Sequence, residues 1–196
     1  MSAAMPDPQE VLDFWFGAPG SADFGQPRSV WFTKDAAFDR QIAVRFGAAL
    51  EAALAGGLRA WDATVPGALA RIVVLDQFTR NVLRDTARAF AGDAQAREAA
   101  RALVDTGRDR SLLPVQRAFV YLPFEHAEDA ALQDESVRLF ARLAQDEPAC
   151  ASMHDYALRH QAVIARFGRF PHRNAALGRA STPQEIEFLR QPGSRF

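Results

Sequence analysis

Apolar residues recur at helical spacing along almost the whole chain, and each stretch is bounded by residues that start or stop helices. Phe38, Ile42, Phe46, Ala49, Leu50 and Ala53 keep this rhythm between Thr33-Lys34 and the Gly56-Gly57 pair. Before them, Asp7-Pro8-Gln9-Glu10 sets an N-capping side chain ahead of a helical proline and an early acid. That helix carries Val11, Leu12, Phe14, Trp15 and Phe16 and stops at Gly17. Thr64 and Pro66 open a helix through Leu69, Ile72, Leu75, Phe78 and Val82. Asp93 is expected to cap another, through Ala96, Ala100, Leu103 and Val104, and Pro114 opens the next, with Phe119, Val120 and Leu122. Val137, Leu139, Phe140 and Leu143 mark a helix stopped near Pro148. Met153, Tyr156, His160, Ile164 and Phe167 form one stripe of a helix ended by Gly168. Thr182-Pro183-Gln184-Glu185 is a capping box for a last short helix. No period-2 stretch competes, so the chain reads as all-α, with about eight or nine helices in antiparallel pairs.

A length of 196 residues suits a single helical domain over 1–196, large enough to bury its own core. Net charge is −1, which argues against a nucleic-acid binder, because counterion release needs a large basic face. Cys150 is the single cysteine, so no disulfide and no thiol-rich metal site is expected. The start of the chain shows no basic and apolar leader, and the apolar run Ile72 to Leu75 is far too short to span a bilayer. These features point to a soluble cytoplasmic protein with no membrane partner.

Three segments could carry chemistry. In Leu75-Asp76-Gln77-Phe78-Thr79-Arg80-Asn81, a helical wheel puts Asp76, Gln77, Arg80 and Asn81 on the arc opposite the apolar residues. Asp76 with Arg80, and Gln77 with Asn81, are spaced to pair. That arc is either an ordinary solvated face or one wall of a polar groove.

In Tyr121-Leu122-Pro123-Phe124-Glu125-His126-Ala127-Glu128-Asp129, Pro123 either kinks a continuing helix or starts a new one with Glu125 in its first turn. On a helical count Glu125, His126 and Glu128 diverge, so no metal is expected there. His160 lies on an apolar stripe and needs a partner such as Glu125, Glu128 or a backbone carbonyl.

In Arg166-Phe167-Gly168-Arg169-Phe170-Pro171-His172-Arg173-Asn174, three guanidiniums and an imidazole share nine residues, and no acid lies between Asp155 and Glu185. Asn174 could cap a short helix over Ala175, Ala176 and Leu177. Its free N–H groups, with Arg169, His172 and Arg173, would hold a carboxylate or phosphate. Alternatively the cations meet acids of the fold itself.

These three blocks, with Val11-Leu12-Asp13-Phe14-Trp15-Phe16 and Ser181-Thr182, resemble the bacterial domain of unknown function 924 family (DUF924). Two positions depart from the family pattern: Thr79, where proline is usual, and Ala127, where serine is common. The resemblance implies a tetratricopeptide-like superhelix of helix pairs and no established activity.

Three functional readings follow. In the first, Glu125, His160 and His172 act as catalytic groups of a polar site for a small anionic ligand. Asp76, Gln77, Arg80, Asn81, Glu128, Arg166, Arg169, Arg173 and Asn174 then line it. In the second, a concave helical face grips a partner peptide. In the third, Glu125, Glu128, His160 and His172 form a metal-dependent hydrolase. The first reading leads, with no cofactor and no metal; the oligomeric state stays open.

Overall fold

The computed structural model describes residues 5–194, and those residues form helices and turns with no strand. The helices are α1 Pro8–Phe16, α2 Ala36–Leu54, α3, α4 Asp93–Asp105, α5 Pro114–Glu125, α6 Ala130–Asp146, α7 Ala151–Phe167 and α8 Pro183–Leu189. Helix α3 is composite: Val65–Ile72 is α-helical, Val73–Phe78 is a π-helical stretch, and Thr79–Val82 is α-helical again. None of these helices is long and apolar enough to cross a membrane.

The caps expected at Asp7 and Thr64 form, and the second helix, expected from Thr33 or Lys34, starts at Ala36 with Asp35 as its cap. Asp7 accepts from the Gln9 N–H, Asp35 from the Ala37 and Phe38 N–H groups, and Thr64 from the Gly67 N–H. The capping box at Thr182 and Glu185 is complete. Gly168 ends α7 with φ +69°.

One cap differs from expectation. Asp93 is the first residue of α4, and Gly92 holds the capping position. A Cβ added at Gly92 would sit 2.2 Å from the Leu75 carbonyl oxygen. Only glycine fits there, and the Asp93 carboxylate turns instead to Arg80.

The chain forms two compact units. The first runs to Arg84 and continues over Arg88–Pro123; the second holds Asp85–Ala87 and the chain from Phe124 onward. In the first unit α3 packs against α1 and α4. Its core is an aromatic cluster. Phe14 stacks on Phe38, Phe46 lies 5.1 Å from Phe78, and the Trp31 ring lies 4.8 Å from Phe119. The end of α1 is closed from the loop that follows: Arg28 donates to the Phe14 and Trp15 carbonyls, and the Trp31 indole N–H to the Trp15 carbonyl.

In the second unit α6 and α7 pack as a pair joined by the short turn Pro148–Cys150. The Gln161 amide on α7 donates to Asp134 on α6 at 2.7 Å, as an antiparallel pair requires. The buried face of α7 is Ala157, His160, Val163 and Ile164. Tyr156, expected on the inner stripe, is exposed. Val163, Ile164 and Phe170 form a cluster against which Phe167 and Phe188 pack.

The close approach of Gly92 to α3 has a testable consequence. Gly92→Ala should lower unfolding free energy by about 1–3 kcal/mol, the usual cost of overpacking. Gly47→Ala, in α2 with nothing within 4 Å of the added Cβ, should raise it by about 0.5–1 kcal/mol. Urea denaturation of both checks this. Equal behaviour of the two variants would contradict the packing described for α4.

Candidate functional site

The first polar segment lies in the first unit and is internally satisfied. Asp76, wholly buried, accepts from the Gln77 amide at 2.6 Å and lies 3.1 Å from Arg80. Arg80 also bonds both carboxylate oxygens of Asp93, at 2.8 and 3.1 Å, and its guanidinium lies over the Phe90 ring. Asn81 donates to Asp39 at 2.7 Å, and Arg84 grips the same carboxylate. Gln77 and Asn81 therefore bond to aspartates and not to each other.

This face is not solvated. All of Val73–Phe78 is buried, as are residues 67–72 before it, so α3 is enclosed on every side and Asp76 and Gln77 lie inside. Thr79 continues the helix, and its hydroxyl donates to the Leu75 carbonyl at 2.9 Å.

The second segment begins on α5. Helix α5 continues through Pro123 and ends at Glu125, so Glu125 is its last residue and not part of a first turn. His126 stands in the turn that follows, and Asp129 caps α6 by accepting from the Leu132 N–H. The expected divergence of Glu125 and His126 assumed one regular helix. The turn removes that assumption.

Donor atoms of Glu125, His126 and His160 lie within 4.8 Å of one another. Glu125 Oε1 is 3.1 Å from His160 Nδ1, and the same nitrogen is 2.9 Å from the Tyr156 carbonyl. Glu125 and His160 are buried, while His126 is partly exposed. Burial pushes the His160 imidazole down to about 3, helped by the nearby charges of His126, Arg173 and His172; the Tyr156 carbonyl acts the other way. His160 is therefore neutral near pH 7.

Phe170 links these groups. The Phe170 ring lies 5.5 Å from His160 and 5.7 Å from His172, and the Arg173 guanidinium lies 4.5 Å from the centre of Phe170.

Glu128 leaves this group. It accepts from the Phe170 N–H at 2.8 Å and from both terminal nitrogens of Arg179, at 2.6 and 2.9 Å. Burial pushes the Glu128 carboxyl up, but the bonds from Arg179 and Phe170 outweigh it and hold it below the ordinary range.

In the third segment, Arg169 bonds both oxygens of Glu185, at 2.7 and 2.9 Å, and the Ala180 carbonyl. The Arg169 hydrogen bond leads in holding the Glu185 carboxyl down to about 2, with the Thr182 N–H and Asn174 adding to it. Arg166 is exposed and stacks on Phe167.

Asn174 opens no helix. Residues 174–178 are turns, and the Asn174 side chain is spent on Ser181, Glu185 and Arg179. Glu185 pairs with Arg169 of this segment, and Glu128 holds its Phe170 N–H together with Arg179 beyond it.

The second unit thus brings Glu125, His126, His160, His172 and Arg173 into one neighbourhood, and Glu128, Arg169 and Asn174 brace the segment behind it. Sequence reasoning missed His126, Gln133 and Arg179. Asp129 gave a signal for His126, since an N-cap there forces a turn just before it. Arg179 was visible as the last cation of the acid-free stretch. Nothing in the sequence singles out Gln133.

The fold and this cluster define an all-α protein with a buried carboxylate–imidazole group in its C-terminal unit. The chain belongs to the family described as bacterial protein of unknown function (DUF924), whose model matches residues 11–193. It is similar to a solved structure titled as a protein of unknown function, ATU0120, from Agrobacterium tumefaciens. The two are 38% identical over 93% of this chain and 96% of that one, with a TM-score of 0.79. No curated protein matches.

The Glu185 contacts generate a pH prediction. Unfolded, Glu185 binds a proton near 4.5; folded, only near 2. Its contribution is complete above about pH 5 and is lost as pH falls toward 2. Glu185→Gln should cost roughly 1–3 kcal/mol at pH 7 and should flatten stability against pH in that acid window. Equal acid sensitivity in both proteins would contradict this.

Proposed function

We propose that the second unit binds a small anionic molecule, a carboxylate or a phosphate, at the cluster of Glu125, His126, His160, His172 and Arg173. The supporting observation is burial of charge-bearing groups. Glu125, His160 and Arg173 are 3%, 4% and 6% exposed. Folding alone gives little reason to gather them, since apolar side chains of equal volume often stabilise as well or better. Groups of this kind concentrate at functional sites. The partly exposed His126 and His172 supply the solvent-facing side. Arg173, His126 and His172 offer N–H donors to an oxyanion, with guanidinium geometry suited to two oxygens at once.

The anion is assigned to Arg173, which is buried over the Phe170 ring within the His160 cluster, and not to Arg169, which bonds Glu185. Sulfate, phosphate or a tricarboxylate at millimolar concentration should raise the melting temperature above that in chloride of equal ionic strength. Arg173→Ala should abolish the rise, and Arg173→Lys should reduce it. Arg169→Ala should melt lower yet keep the rise. A rise retained in both Arg173 variants would overturn the assignment.

A further inference from the structure

We infer that Glu125, His126 and His160 are the protein ligands of a divalent transition-metal ion. For its location this rests on the cluster proposed above; it does not need the anion to bind. One donor atom from each residue lies within 4.8 Å of the others. A tetrahedral ion with bonds of about 2.0–2.2 Å holds its donors about 3.4 Å apart, so a modest side-chain closure completes the site. Two imidazoles and one carboxylate are a donor set that zinc and non-haem iron both accept.

The orientation of His160 fits this role. Its Nδ1 is 2.9 Å from the Tyr156 carbonyl. A carbonyl can only accept, so Nδ1 carries the proton and Nε2 the lone pair. Glu125 Oε1 lies 3.1 Å from the same nitrogen and leaves it when the carboxylate turns to an ion on Nε2, while the Tyr156 carbonyl keeps the N–H. A metal-binding imidazole is normally held in this way, through its other nitrogen, by a carbonyl or a carboxylate.

Glu125 and His126 are neighbours in sequence, and a regular helix would turn them about 100° apart. What presents them together is the turn after α5, and Gln133 fixes that turn. The wholly buried Gln133 amide donates to the Glu125 carbonyl at 2.6 Å and to the Ala127 carbonyl at 2.8 Å, on either side of His126. Flipping the amide would set its oxygen against both carbonyls, so its orientation is determined. Gln133 is a positioning residue for two ligands in succession.

Three protein donors leave coordination positions open, as in catalytic and not in structural zinc sites. An anion in the neighbourhood of Arg173 would take one of them directly.

The test uses the full chain, stripped with chelator and kept in chloride buffer. Co²⁺ and Zn²⁺ are titrated by calorimetry, and Co²⁺ is followed by visible absorption. One equivalent of Co²⁺ should bind with a ligand-field spectrum and be displaced by Zn²⁺. Replacing an outer partner usually weakens metal affinity 10–100-fold, so Gln133→Leu should fall in about that range and alter the Co²⁺ spectrum. Glu125→Gln, His126→Gln and His160→Gln should each lose more than about 100-fold. His154→Gln, a histidine of α7 outside the cluster, should bind as wild type.

Circular dichroism confirms the fold of each variant. His126 lies on a turn and is partly exposed, so His126→Gln carries the test even if His160→Gln does not fold. No saturable binding in the wild type, or undiminished binding in His126→Gln, would overturn the inference. Anion response is measured separately on the chelated protein. Metal binding without that response removes the anion reading alone, and the response without metal binding removes this one alone.

Discussion

The turn from Glu125 to Asp129 is the constraint on which the second unit depends. Two side chains fix it from opposite directions. Gln133, one turn into α6, donates back to the Glu125 and Ala127 carbonyls. Glu128 reaches forward to the Phe170 N–H and to Arg179. The first contact sets where Glu125 and His126 point. The second anchors Phe170, whose ring packs on His160. Charge-assisted bonds in a partly buried setting are among the stronger single contacts available to a fold. A local turn and a segment some 42 residues later are thereby held to one geometry.

The helices were legible because their ends carry explicit chemistry. Asp7, Thr64 and Thr182 have side chains that can cap, and each does. Legibility failed where a distant backbone decided the outcome. Gly92 displaces Asp93 from the cap because the Leu75 carbonyl leaves no room for a side chain. Helix α3 is enclosed on every side over residues 67–78, so Asp76 and Gln77 are buried although a helical wheel puts them on the polar arc. Asn174 has the chemistry of an N-cap, but Ser181, Glu185 and Arg179 compete for it and win.

The candidate site was legible in its parts and not in its assembly. Glu125, His160, His172 and Arg173 were all singled out by residue type and position. His126 was set aside because a helical count was carried past the end of a helix. The cationic segment was read as meeting either a ligand or acids of the fold; Glu185 takes Arg169, and Glu128 takes Arg179 just beyond the segment. Arg169 thus serves the fold, and the proposed function draws on the group around His160. The first segment divides in the same way. Arg80, paired with Asp76, holds α3 to Asp93 through an ion pair, and Asn81 holds it to Asp39 through a hydrogen bond, within the first unit.

The central claim is that Glu125 is buried for the sake of the site and not for the sake of stability. Chemical denaturation of chelated wild type and Glu125→Gln at neutral pH tests it most directly. Residues held against desolvation for function usually leave stability unchanged or raised when they are replaced. Unfolding free energy equal to or above wild type is therefore expected. A loss of about 1–3 kcal/mol, as when a buried charged hydrogen bond loses its partner, would contradict the account and make Glu125 part of the core's own electrostatics.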